Sequence, residues 1–462
     1  MLAESEIQSF VSDPCAFFEM SYTTAHSQSR DRTAELQRAG LAQRFEEMSN
    51  LVPMVAKLAA RQKISKVEDF EEVVPLLFEH TMYKSYPMAL LERRQFDRLT
   101  DWLDKLTTVD VSELDMSTCD SIDSWLGVLA NQTDLDVCYS SGTTGTMSFI
   151  PWSKCDLDFR ARAIRVGELQ NFGASPTHTE LEDPFHYVAA PSRNRHDNLA
   201  QVYTRDQPGL MHLRSVRRPD ADLLWLSARI RLAAARGDAS KVDVPPSLLA
   251  RRDELQLSQA TADEEDRTWL EEIECLQNNR VVWINFPYDL HSIAAPRVAA
   301  GERWMFAPES AIVIVGGSKG KSLPPDWFET IRRFLDARIV QGYGMVELSD
   351  LNFRCSAQRY HIQPWIIPFV LDPETSKPLP RQGTQTGRFA FFDLAPGSHW
   401  GGLMTGDEVE LDFESGCSCG ATTLHIGPQI ARLSDKRGGD DKISCAATPE
   451  AYAEAMEFLT SF

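Results

Sequence analysis

Three short apolar runs, each closing on a glycine turn, constrain this chain more than any other feature. They are LDVCYSSGTTG from Leu135, AIVIVGGSKG from Ala311 and ARIVQGYGM from Ala337. Between the second and third lies PPDWFETIRRFL, with Trp327, Phe328, Ile331, Phe334 and Leu335 at helical spacing behind two prolines. Strand, glycine turn, helix, strand is the signature of an α/β sheet, whose ligands bind beyond the carboxyl ends of the strands. Around that core, residues 1–125 read as mainly helical, with Leu36, Leu41, Phe45 and Met48 on one face of a long helix. The core is expected over 126–364, with a charged, solvated helical insertion at about 206–272. Residues 365–436 favour β-structure (IIPFVLD, GRFAFFDL, DEVELDF), and 437–462 read as a hinge-like segment followed by a helix from Pro449.

Composition excludes several function classes. Forty-seven basic against 67 acidic residues leave a formal charge of −20, which disfavours a nucleic-acid or anionic-membrane binder that must neutralise phosphates. No stretch reaches the roughly 20 apolar residues of a membrane span, and the N-terminus lacks the form of a secretion signal. Nine cysteines at irregular spacings do not make a disulfide framework. The expectation is a cytoplasmic protein with reduced thiols.

The first glycine turn, Ser140-Ser141-Gly142-Thr143-Thr144-Gly145, offers consecutive backbone N–H groups and four hydroxyls to an anion. It is not a Walker loop, because no Gly-Lys-Ser/Thr follows. Downstream come Gly342-Tyr343-Gly344-Met345-Val346-Glu347, then Thr405-Gly406-Asp407, then Arg437 ahead of Asp440-Asp441-Lys442. In this order the four segments resemble the motif series of the adenylate-forming superfamily: acyl-CoA ligases, adenylation domains and firefly luciferase. Cys355 six before His361, and the Cys417-Ser-Cys419 pair, make the chain similar to the phenylacetate–CoA ligase branch. The run from YGMVE through HIQPW, VLDPET and TGDEVEL to a cysteine near the end is more similar to the acyl-protein synthetases, long-chain fatty acid–protein ligases.

The resemblance implies a large α/β domain with a helical start and a β subdomain, and a C-terminal domain absent or reduced to one helix. It implies ATP and Mg²⁺ as cofactors and attack of a carboxylate on the α-phosphate. Ser140, Ser141, Gly142, Thr143, Thr144 and Gly145 would hold the pyrophosphate end. Gly316, Gly317 and Ser318 would pass the adenine, with Gly342, Tyr343, Gly344 and Met345 nearby. Glu347 would bind Mg²⁺, Asp407 the ribose hydroxyls, and Arg437 the ribose or phosphate. The chain departs from the pattern in three places. The lysine that usually ends the loop is missing, Lys154 being the nearest; Val346 replaces a threonine; and an extra glycine lets Arg432 compete with Arg437 for the arginine role. His186 reads either as a pocket residue or as a core histidine.

Cys355, His361, Cys417 and Cys419 form a Cys₃His set suited to a closed, structural zinc site, the alternative being buried thiols and a core histidine. Eighteen residues without lysine follow Ser444, where relatives that make CoA or carrier-protein thioesters carry a domain with a catalytic lysine. Acyl-protein synthetases share this ending and capture the acyl group on a cysteine that Cys445 matches. The sequence therefore predicts an AMP-forming ligase that activates a small carboxylic acid and passes the acyl group to Cys445, then to a partner protein or amine. The alternatives are a free-standing acyl/aryl-CoA ligase, an adenylate-dependent amide synthetase, and an inactive nucleotide- or acid-binding module.

Overall fold

The computed structural model describes residues 3–140, 146–170, 185–189, 211–213, 220–235, 237, 242–316, 323–433 and 449–460. The N-terminal region is built on the helix Arg30–Leu51, which Ser29 caps by accepting from Arg32 N at 3.2 Å. Its face of Leu36, Leu41, Phe45 and Met48 is buried, each side chain stabilising by about 1.5–3 kcal/mol. The region is not helical throughout. Strand β1 (Phe78–Glu79) leaves it to pair in parallel with Leu403 and Met404.

The first apolar run differs from expectation. It forms an antiparallel hairpin of β2 (Cys138–Ser140) and β3 (Ser148–Ile150) in a two-stranded sheet of its own, outside the parallel sheet. The main α/β sheet holds β4 (His186–Ala189), β5 (Met211–Leu213), β6 (Val281–Asn285), β8 (Ala311–Val315), β10 (Arg338–Tyr343) and β11 (Asn352–Phe353). A second two-stranded sheet pairs β7 (Trp304–Met305) with β9 (Leu335–Asp336). The main order is β11-β10-β8-β6-β4-β5, parallel except for β11. β6 and the first four residues of β8 are buried, as strands covered on both faces must be, and apart from Asn285 they read as apolar runs.

The region expected as a solvated insertion has a largely exposed helix, Arg252–Glu274, but is otherwise corrected in two ways. It contributes the edge strand β5, and its helix Ala221–Ala235 is largely buried, with Leu223, Leu224, Trp225 and Leu226 at 3 % exposure or less. That helix meets the helix Ile122–Gln132 end to end. Asp222 accepts from Ile122 N, and Asp123 accepts from Ala221 N, both at 2.8 Å. Each thus caps the other's first turn, where unpaired N–H groups and the helix dipole favour a carboxylate. Arg94 and Arg251 neutralise Asp222 and Asp220. This acidic trio is helix capping rather than a metal centre. The final helix, Pro449–Thr460, packs on Ala221–Ala235 through Ala455, Met456 and Leu459.

A second six-stranded sheet runs β12 (Tyr360–His361), β16 (His425–Arg432), β15 (Gly402–Asp412), β14 (Thr384–Asp393), β13 (Ile366–Leu371), with β1 against β15. Its first strand, β12, lies before residue 365. Among the described residues no helix is long and apolar enough to cross a membrane.

Candidate active site

The carboxyl end of β10 and the β15–β16 pair bring the second and third sequence motifs together. The register sets Arg432 directly opposite Asp407. Arg432 Nε lies 3.2 Å from Asp407 Oδ1, and Tyr343 donates its hydroxyl to Asp407 Oδ2 at 2.9 Å. Asp407 is 8 % exposed and Arg432 65 %, so the arginine reaches in from solvent to a carboxylate the sheet already fixes. This stretch of β15 is held from within: Thr405 Oγ1 donates to Phe389 O and accepts from Asp407 N, while Arg388 Nε donates to Thr405 O at 2.6 Å. Arg388 is fixed in turn by Glu79 on β1. Each Asp407 oxygen retains a lone pair, so the carboxylate can accept from a diol while keeping both protein donors.

Tyr343 packs against Tyr360 and Phe389, with ring centroids 6.3 and 6.0 Å away. Burial first, then the negative charges of Asp407 and Glu347, push its phenol well above its ordinary range, so it stays a donor. Glu347 follows on the loop after β10 and makes no hydrogen bond or ion pair with another described residue. A carboxylate close enough to Tyr343 to raise its phenol is the hard oxygen donor that Mg²⁺ requires, so the residues present fit that ion. Two glycines are dictated by geometry. Gly316, ending β8, has φ +75° and lies where a Cβ would come within 3.0 Å of Phe286; at Gly344 a Cβ would meet the Leu351 side chain at 2.5 Å.

Ser140 ends β2 opposite Ser148. Ser141, Gly142, Thr143, Thr144, Gly145, Gly317, Ser318, Arg437 and Cys445 lie outside the described residues. Lys154 is not directed at the loop. Its ammonium donates to Ala130 O and Thr133 O at 2.8 and 2.9 Å, closing the carboxyl end of the helix Ile122–Gln132. His186 opens β4 at the amino end of the sheet, 2.9 Å from His212, and burial lowers both imidazoles. That is the end opposite to where ligands of such sheets bind. A groove of about 540 Å³ along Arg338–Gln341 includes none of Tyr343, Glu347 and Asp407.

The Cys₃His set converges. All four ligand atoms lie within 4.8 Å of one another. Cys355 Sγ and Cys417 Sγ are 3.7 Å apart, and Cys419 Sγ is 3.2 Å from His361 Nε2. A tetrahedron with bonds of ~2.3 Å has an edge of about 3.8 Å, so these separations fit Zn²⁺. The other ring nitrogen, His361 Nδ1, is 3.2 Å from Thr423 Oγ1, which would orient the ring. Burial first, then Cys417 and Cys355, push the Cys419 thiol up to about 12; a bound cation would reverse that. Cys355 sits in the β11–β12 turn and Cys417 and Cys419 in the β15–β16 turn, so the cluster pins the main sheet to the β subdomain.

Residues not singled out in the sequence also surround the site. Trp152 Nε1 donates to Val346 O at 2.9 Å, Arg160 donates to Met345 O at 3.1 Å, and Asp393 accepts from Ser349 N at 2.8 Å. No motif marks them.

No family model matches the chain, and no curated protein sequence does. Solved structures do. Crystals of 2-hydroxyisobutyryl-CoA ligase, one in an open conformation with 2-HIB-AMP and CoA, match 89 % of this chain and 77 % of that one at 11 % identity and a TM-score of 0.50. Another, in the postadenylation state, matches 89 % of this chain and 70 % of that one at 12 % identity and a TM-score of 0.54. At that identity the likeness is one of fold: the chain has the fold of adenylate-forming ligases.

Proposed function

We propose that this chain, folded as an adenylate-forming ligase, activates a carboxylic acid with ATP and Mg²⁺ and passes the acyl group to a thiol. What carries this reading is the meeting of Tyr343 and Glu347, at the end of β10, with Asp407 and Arg432 from the neighbouring sheet. Asp407 would accept from the ribose hydroxyls, and Arg432 would stand beside the sugar or the phosphate in the role first given to Arg437. Glu347 would hold Mg²⁺, which when bound neutralises phosphate charge as the P–O bond breaks. The carboxylate oxygen of the acid attacks the α-phosphorus, the bond to the β-phosphate oxygen breaks, and pyrophosphate leaves. Positioning supplies most of the rate in such transfers.

In the second step the thiolate of Cys445 would attack the acyl carbon of the mixed anhydride, AMP would leave, and a thioester would form for delivery to a protein or amine. The support for Cys445 is the likeness of the sequence to acyl-protein synthetases. A free CoA thiol is the second candidate, favoured by the CoA bound in a protein of the same fold. Cys355, His361, Cys417 and Cys419 would hold a structural zinc.

The test is ATP–pyrophosphate exchange across a panel of acids, with intact-protein mass read in parallel. Acid-dependent exchange is expected, together with an acyl increment that hydroxylamine removes and Cys445→Ser lacks. Exchange with no increment, and turnover only on adding CoA, would transfer the second step to CoA. Absence of exchange with every acid, while ATP still binds, would leave a nucleotide-binding module.

A further inference from the structure

We infer that Trp152 and Arg160 are positioning residues for Glu347, tying the hairpin that carries the glycine-rich turn to the loop that carries the metal carboxylate. Trp152 follows β3, the return strand of that hairpin, by two residues, and Arg160 stands two helical turns further on in the helix Lys154–Gln170. Both are buried, at 0 % and 4 % exposure. Their hydrogen bonds go to consecutive carbonyls: Arg160 to Met345 O at 3.1 Å and Trp152 to Val346 O at 2.9 Å. The Val346 carbonyl belongs to the peptide unit that enters Glu347, and the Met345 carbonyl to the one before it. A peptide unit is planar, so fixing its oxygen fixes the plane and hence the direction in which the next Cα projects its side chain.

The two donors also brace each other. The Arg160 guanidinium lies 5.4 Å from the Trp152 ring, and His399 meets that indole edge-on at 4.6 Å. Beyond Glu347 the loop is held again: Asp393 accepts from Ser349 N, and Trp365 Nε1 reaches Ser349 Oγ at 3.3 Å. Its backbone is clamped on both sides, while among the described residues no hydrogen bond or ion pair holds the carboxylate. That is the arrangement a hard cation needs, with ligand direction fixed and ligand charge available. The consequence is a mechanical link. The segment after β3 and the Glu347 loop thus share one buried shelf of Trp152 and Arg160, so a shift of either should be felt at the other.

The experiment uses Trp152→Phe, which removes only the N–H donor and part of the ring, and Arg160→Lys, which keeps the charge but not the fork. Two readouts are taken, the Mg²⁺ dependence of ATP–pyrophosphate exchange and Mn²⁺ binding to the protein–ATP complex by electron paramagnetic resonance. Each variant should raise the half-saturating Mg²⁺ and the Mn²⁺ dissociation constant about tenfold, the size of effect seen when a residue orienting a metal ligand is lost. In a Glu347→Gln background the same substitutions should weaken Mn²⁺ binding no further. Unchanged metal dependence in a folded Arg160→Lys protein overturns the inference, as does equal weakening with and without Glu347. Resting as this does on the metal role of Glu347, the Mn²⁺ readout separates the two failures. Wild-type protein that binds Mn²⁺–ATP but exchanges nothing sinks the ligase reading and leaves the shelf standing, whereas no Mn²⁺–ATP binding sinks both.

Discussion

Asp407 is the residue whose geometry is most specific, and its replacement gives the sharpest contrast between stability and binding. Arg432 is largely exposed, so their ion pair contributes at most about 1 kcal/mol to folding. Asp407→Asn should therefore lower the melting temperature by only a few degrees while raising the KM for ATP at least about tenfold, since a charged acceptor for the ribose is lost. Parallel thermal melts and exchange kinetics check this, and an unaltered KM would remove Asp407 from the nucleotide site. Two other buried groups give an opposed pH signature. Burial lowers His399 to about 4 and raises Asp393 to about 6. The unfolded chain takes up the histidine proton near 6.5 while the folded chain refuses it until about 4, so His399 costs stability as pH falls through that window. Asp393 acts the other way. Its folded form takes a proton near 6 and its unfolded form only near 3.8, so acidification over that range adds stability. Each amounts to about 3 kcal/mol at most, from ~1.4 kcal/mol per unit. His399→Gln should remove the histidine's share and leave the Asp393 limb in place. Urea unfolding at pH 7, 6, 5 and 4 should show the variant gaining on the wild type at every step down, and a constant difference would refute the assignment.

At the scale of elements, the glycine turns and apolar runs were legible because they state local conformational need. Gly316 has a positive φ, and β8 and β6 up to Ile284 are apolar runs buried on both faces. Burial of the Ala221–Ala235 helix was not legible. Its charged residues are spent on contacts distant in sequence: Asp222 on Ile122 N and Arg94, one hundred and more positions away. A charge pattern read locally looks like a solvated face when its partners are remote. Lys154 carries the same lesson. In sequence it is the nearest lysine to the glycine-rich turn, but in the structure it closes a helix. Lys154→Met should consequently cost about 1 kcal/mol in urea unfolding, the value of a capping interaction, with the KM for ATP unchanged. A rise in that KM at constant stability would return the lysine to the phosphate.

At the scale of the whole molecule, the site exists only where two sheets meet. Tyr343 comes from the end of β10 and Glu347 from the loop after it, Asp407 and Arg432 from β15 and β16, and neither set would span a nucleotide alone. The sequence disclosed the four motifs but not their meeting, because the register that sets Arg432 opposite Asp407 is a property of strand pairing and not of spacing. It also disclosed the Cys₃His set as a possible staple, and the structure sites that staple between the β11–β12 and β15–β16 turns, beside the same junction. A metal there would align the two half-sites. Its removal should accordingly damage nucleotide binding before it damages secondary structure. Protein purified without chelator should carry one zinc per chain by elemental analysis. Stripping it with dipicolinate, or making Cys417→Ser, should weaken ATP binding by calorimetry about tenfold while far-ultraviolet circular dichroism changes little. Melting should occur at lower temperature, since binding energy at a structural zinc site is also folding energy. Full-strength ATP binding after verified metal loss would mean that the sheets hold their alignment through the Tyr343–Asp407 contact and the buried aromatic packing alone. The thiols would then be no more than a polar cluster in the turn.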